Sequence, residues 1–109
     1  MPLTREFSAT IRARAVRDPE FRVGLLIEAI EAMFNDDLET SKVLLRDYVN
    51  ATVGFESLAE DMEQDPGSLM RMLSAGEDPR TDNLIALVAR LKQREGVSFS
   101  LVRNNELHA

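Results

Sequence analysis

Gly54-Phe55-Glu56-Ser57-Leu58-Ala59-Glu60-Asp61-Met62-Glu63-Gln64-Asp65-Pro66-Gly67-Ser68-Leu69-Met70-Arg71-Met72-Leu73-Ser74 decides how the rest of the 109-residue chain is read. Leu58, Ala59 and Met62 predict a short helix over Glu56–Met62, with alanine as the small residue that lets a second helix cross closely. Glu63-Gln64 reads as a turn. Asp65-Pro66 then sets a second start, because aspartate caps free N–H groups and proline suits the first helical position. Leu69 and Met72, three residues apart, point into a core, which leaves Gly67, Ser68, Met70 and Arg71 facing outward.

Working outward, the same devices recur. Leu84, Ile85, Leu87, Val88 and Leu91 give the next helix a buried face, with Thr81 as its expected cap and Gly96 just beyond its end. Upstream, Leu38, Val43, Leu44, Leu45, Tyr48 and Val49 form a helix. Before the Asn35-Asp36-Asp37 break, Phe21, Leu25, Ile27, Ala29, Ile30, Met33 and Phe34 form another, opened by Asp18-Pro19. A first helix is expected over about residues 4–17, with Leu3-Thr4 as staple and cap and with Phe7 and Ile11 on one face. Val97, Phe99 and Leu101 alternate with Ser98, Ser100 and Val102, so a strand is expected over 97–103. A lone strand leaves its backbone groups unpaired, and pairing with the same strand of a second copy resolves that, hence an expected homodimer. The alternative is a strand packed along a helix with its edge wet. The fold class expected is all-α, five or six short helices with one C-terminal strand. It forms one domain over 1–109: an N-terminal helical extension (1–36), a core (37–96) and the strand segment.

The totals narrow the chemistry. The chain is 44% hydrophobic and 29% charged, enough for a real core. With no cysteine it holds no disulfide or thiolate-bound zinc, and a reducing cytoplasm is the expected setting. The start has no signal-peptide pattern, and no stretch is apolar enough to span a membrane. His108, the single histidine, reads as a tail residue. The carboxylate pairs Asp36-Asp37 and Asp61/Glu63 have no base, nucleophile or cage around them, and no glycine-rich phosphate loop occurs. The expectation is therefore a non-enzyme without metal or cofactor. Net charge is −6, which argues against nucleic acid, but the charge is unevenly spread. Arg5, Arg12, Arg14 and Arg17 make the first segment basic, whereas residues 18–40 carry seven acids against Arg22.

Residues 55–73 thus have the pattern of a helix-turn-helix. Gly54–Ala59, Pro66–Ser74 and Asp78-Pro79-Arg80-Thr81-Asp82-Asn83-Leu84 resemble the phage-repressor (Cro-like, XRE-like) helix-turn-helix regulators, densest over about 42–101. The nearer resemblance is to the bacterial branch related to addiction-module antidote proteins, which Asp18-Pro19-Glu20-Phe21 and the following leucine-rich helix also resemble. The resemblance implies a lambda-repressor-like fold, a repressor that binds double-stranded DNA, and, for antidote (antitoxin) members, neutralisation of a small basic toxin. The pattern departs at Glu63, where glycine is usual, and at Gln64, where an apolar residue is usual; the motif's first helix also carries Glu56, Glu60 and Asp61. A left-handed glutamate costs about 1 kcal/mol, so a reshaped turn or a differently angled second helix is expected.

The candidate DNA-binding residues are Pro66, Gly67, Ser68, Met70, Arg71 and Arg80. Arg71 leads, since arginine can pair with guanine at two points; the alternative is a solvated arginine paired with a nearby acid. Ser68 is a phosphate or base contact, or a helper in capping. Met70 touches a thymine methyl or is merely exposed. Gly67 allows close backbone approach, or is a permissive helical position. Arg80 clamps phosphate or is a solvated loop charge. Lys42 and Arg46 are weaker backbone candidates. Glu28, Glu31, Asp36, Asp37 and Glu39 form a solvated face, or a docking surface for a basic partner. Arg5, Arg12, Arg14 and Arg17 form a second DNA-facing patch, or are partners of that acidic run within the protein, or are solvated. The alternatives to a DNA-binding repressor are an acidic protein-binding module and a helical dimerisation scaffold that binds no DNA.

Overall fold

The computed structural model describes residues 5–104, with side chains from residue 9 onward. The staple and cap at Leu3-Thr4, the Phe7 side chain, the Arg5 side chain and His108 lie outside the described residues. Among them run six helices: α1 (Arg5–Arg17), α2 (Pro19–Phe34), α3 (Leu38–Ala51), α4 (Phe55–Asp61), α5 (Pro66–Met72) and α6 (Thr81–Glu95). The class is all-α.

The punctuation acts as its chemistry dictates. Asp18, Asp37 and Asp65 sit at the N-caps of α2, α3 and α5, and each side chain accepts the N–H of the residue three places on. Pro19 and Pro66 open their helices, where the missing N–H is not needed. Gly96 takes the left-handed conformation (φ +76°) that closes α6. Asp36 ends α2 in the same way with φ +63°, after which Asp37 both bonds back to Ala32 O and caps α3. One residue thus serves two helix ends, which makes the α2–α3 connection tight. The cap expected at Thr81 falls one residue earlier, at Arg80, with no side-chain cap bond. The Asn83 N–H is taken instead by Asp82, within the helix's own first turn.

All six helices contribute to one core. Ile11 and Ala15 come from α1, Leu25, Leu26, Ala29 and Ile30 from α2, Leu45, Tyr48 and Val49 from α3. Phe55, Leu58 and Ala59 follow from α4, Leu69 and Met72 from α5, and Leu84, Leu87 and Leu91 from α6. Helix α3 is the spine. Its side chains reach the α5–α6 connection and the end of α6 as well as α1, so it fixes where α5 and α6 sit.

The strand expected over 97–103 does not form; the chain is irregular there, and no strand occurs among the described residues. Alternation supplies a two-faced side-chain pattern, but a ladder needs an open edge, and every regular element here is a helix whose backbone bonds are already made internally. Val97 packs on the core, whereas Phe99, Leu101 and Val102 stay exposed, Leu101 completely. No helix among the described residues is long and apolar enough to cross a membrane.

Candidate nucleic-acid interface

The site is built from the turn that joins α4 to α5. Glu63 occupies the left-handed region (φ +55°), and Gln64 N–H bonds back to Ala59 O at 2.8 Å, closing α4. Glutamate therefore adopts a left-handed backbone shape that glycine takes more freely. Ala59 is 1% exposed beneath it. Leu69 and Met72 are buried, so α5 presents its opposite side to solvent.

Of the six residues named from the sequence, Ser68, Arg71 and Arg80 line one groove between α5 and the start of α6, about 230 Å³ in volume. Met70 is half exposed on α5, outside the groove lining. Pro66 and Gly67 are half-buried at the head of the helix. Gly67 has a local reason for its identity: a Cβ there would lie 2.9 Å from Asp65 Oδ2, the oxygen that accepts the Ser68 N–H. Ser68 does not cap; Asp65 does, leaving the Ser68 side chain exposed. Arg71 is exposed and has no ion-pair partner among the described residues, so it is solvated without the acid partner that the alternative included. Arg80 is paired: its Nε and Nη2 donate to Asp82 Oδ1 and Oδ2 at 3.1 and 3.0 Å, and those bonds hold the Asp82 carboxyl below its ordinary range. Gln64 and Asn83 line the same groove and were not among the candidate contacts named from the sequence, and Glu77 and Asp78 bring negative charge to it.

Lys42 is no backbone-contact candidate. It is 1% exposed, and its ammonium donates to Ser74 O (2.9 Å) and Glu77 O (2.7 Å) while pairing with Glu39 at 2.8 Å. All three of its protons are used. The other Glu39 oxygen accepts the Gly76 N–H. Hydrogen bonds from Lys42 first and Gly76 second keep the Glu39 carboxyl below its ordinary value. Arg46 donates to Leu73 O. Three α3 side chains therefore fix the connection that spaces Arg71 from Arg80. The sequence around this lysine gave no sign of it, because its partners are backbone carbonyls 32 and 35 residues away.

The acids sort themselves by role. On α4, Asp61 turns toward Arg90 (3.5 Å) and Arg94 (3.6 Å) of α6, while Glu56 and Glu60 remain exposed. Glu95 accepts two bonds from the Arg22 guanidinium and one from the Tyr48 hydroxyl, pinning the end of α6 to α2 and α3. Arg12 pairs with Asp47 at 3.0 Å, and Arg14 lies 3.7 Å from Asp18 and over the Phe21 ring. These arginines pair inside the protein, but with Asp47 and Asp18 rather than with the 28–39 run. Among the described residues, no group of three or more histidine, cysteine or carboxylate side chains is placed to hold a metal ion. No family model, curated protein or solved structure matches this chain.

Proposed function

We propose that the chain is a sequence-specific DNA-binding repressor of the helix-turn-helix type, in which α4 braces α5 and the exposed side of α5 enters the major groove. One observation carries this: α5 buries Leu69 and Met72 and turns Ser68, Met70 and Arg71 to solvent, with Arg71 free of any ion pair among the described residues. Arginine in that position can read guanine O6 and N7. Arg80, across the groove, supplies a backbone contact. The usual obstacle of an acidic first helix is lessened because Asp61 is engaged by α6. Two copies related by a two-fold axis would place two α5 helices on half-sites about one turn of duplex apart. The function needs no cofactor and no catalytic chemistry.

Selection of duplexes from a random-sequence pool tests this. The expected product is a two-fold repeat, and Arg71→Ala is expected to weaken binding to it by about 1–3 kcal/mol and to relax one base position. A pool with no enriched sequence, with the variant retained as well as the native chain, overturns the proposal.

A second reading, as the antitoxin partner of a basic protein, has its own observation. Phe34 is 82% exposed and Ile27 41% exposed on α2, with Glu28 and Glu31 exposed beside them and Asp36 just past the helix end. Asp37 and Glu39 are also exposed but are already engaged, since one caps α3 and the other bonds Lys42 and Gly76. An aromatic anchor ringed by carboxylates suits a cationic partner with an apolar pocket. Co-purification with the product of the adjacent open reading frame, lost in Phe34→Asp, is the expected outcome; no retention of that product removes this reading and leaves the first intact.

A further inference from the structure

We infer that Asp82 is an internal competitor for the phosphate-contacting arginine of the groove, occupying the Arg80 guanidinium and so setting how readily this face takes a nucleic-acid backbone. The inference rests on the DNA-binding reading and adds to it a residue that neither the pattern of the motif nor the exposed side of α5 indicates.

The geometry is that of a substitute anion. Two Arg80 nitrogens, Nε and Nη2, meet two Asp82 oxygens at 3.1 and 3.0 Å, the parallel fork that a guanidinium also makes with two oxygens of a phosphate. Asp82 Oδ1 takes the Asn83 N–H as well, at 2.9 Å. Both Arg80 and Asn83 line the groove that holds Ser68 and Arg71, so the donors taken by Asp82 are donors of the candidate interface. The two side chains are 77% and 66% exposed, and a pair so open to water contributes little to folding. Its consequence lies in binding. A phosphate that captures Arg80 leaves the Asp82 carboxylate unpaired beside a second anion, and that repulsion lowers affinity. Arg71 has no such competitor among the described residues. The two arginines therefore differ: Arg71 is always available to a base edge, whereas Arg80 engages the backbone only when the rest of the complex fits well enough to displace Asp82. Sequence-independent binding, which depends most on backbone charge, is suppressed more than specific binding.

The test compares two neutralisations of equal charge. Asp82→Asn frees Arg80; Asp78→Asn removes a groove carboxylate that holds no cation among the described residues. Binding is measured by fluorescence anisotropy on a labelled mixed-sequence duplex over a range of salt, with the full chain. Asp82→Asn is expected to bind roughly ten-fold tighter at low salt and to steepen the salt dependence by about one released counterion, and Asp78→Asn to gain less with no change of slope. In an Arg80→Ala background the Asp82→Asn gain should shrink to that of Asp78→Asn. Equal gains from the two single variants would mean that only net charge matters, and weaker binding by Asp82→Asn would mean that the carboxylate positions Arg80 productively; either overturns the inference. Duplex binding that depends on Arg71 but ignores Asp82 sinks this inference alone. No duplex binding by any variant at the lowest salt sinks the DNA-binding reading, and this inference with it.

Discussion

The charges around α3 and those of the α5–α6 groove are made from the same residue types and behave in opposite ways. Around α3 the charged groups each find a partner within the fold: Lys42 holds Ser74 O, Glu77 O and Glu39, Arg12 holds the buried Asp47, and Glu95 gathers Arg22 and Tyr48. In the groove, Arg71 has no ion pair among the described residues and Arg80 is held by an exposed neighbour that water already screens. The difference teaches that a formal charge of −6 says little about what this protein can meet. Some of its cations are spent on its own fold, and the ones that matter to a partner are the few left at the surface. Variants in the first region should change stability, and variants in the second should change binding while leaving stability alone.

Lys42→Met strikes the comparison hardest. It leaves two loop carbonyls without their donor and Glu39 without its cation, and a loss on the order of 3 kcal/mol is expected. Urea unfolding would report it, and a variant as stable as the native chain would break the contrast. Arg71→Ala, by the same measurement, should stay within about 0.5 kcal/mol. Arg12→Ala comes next. Asp47 is 4% exposed and its Oδ2 already lacks a partner, but Arg12 is about one-third exposed, so water can reach the space it vacates. About 2 kcal/mol is expected, below the range for a fully buried pair.

The Glu95 cluster sharpens the comparison through pH. Burial raises the Glu95 carboxyl, but hydrogen bonds from Arg22 and Tyr48 outweigh it, and the net direction is down from the ordinary 4.5. The folded protein therefore releases this proton at lower pH than the unfolded chain does. The cluster's contribution is fully present above pH 4.5 and is lost as pH falls through the lower folded-state value. Tyr48 is shifted the other way, upward from 10.0, by burial first and by Glu95 second. Its contribution is present below pH 10.0 and fades as pH rises through the folded-state value. Glu95→Gln is expected to flatten the acid limb of a stability–pH curve and to reduce the alkaline loss in part, because the burial of Tyr48 remains. An unchanged acid limb would show that other carboxylates govern acid unfolding.

Much of this architecture was legible along the chain because it is written in local chemistry. Asp-Pro pairs, the apolar spacing of Leu69 and Met72, and Gly96 each act within a turn or two of themselves, and each predicted its element. What could not be read were contacts across the chain. Lys42 looked like a candidate for a phosphate because its carbonyl partners have no signature of their own. The alternation of Val97, Phe99 and Leu101 looked like a strand because a pattern of side chains does not say whether an edge is available. In the groove, Arg71 and Arg80 were visible as cations, whereas Asp82 and Asn83 gain their meaning only from the start of α6 falling one residue earlier than its cap-forming threonine suggests.

Glu63, in the turn between α4 and α5, gives the smallest expected effect. Its φ of +55° is one that glycine adopts freely and glutamate does not. Glu63→Gly removes that strain but also loosens the unfolded chain, so the net gain is expected to be about 0.5–1 kcal/mol. The variant keeps the same bonds: Gln64 N–H to Ala59 O and Glu63 N–H to Glu60 O are both backbone. It also removes one exposed carboxylate from the approach to α5. If the turn merely tolerates glutamate, stability rises, the angle of α5 is unchanged and duplex binding strengthens slightly. If stability falls instead, the Glu63 side chain is holding the turn through water or a partner, and the backbone account of why α5 leaves α4 at this angle is wrong.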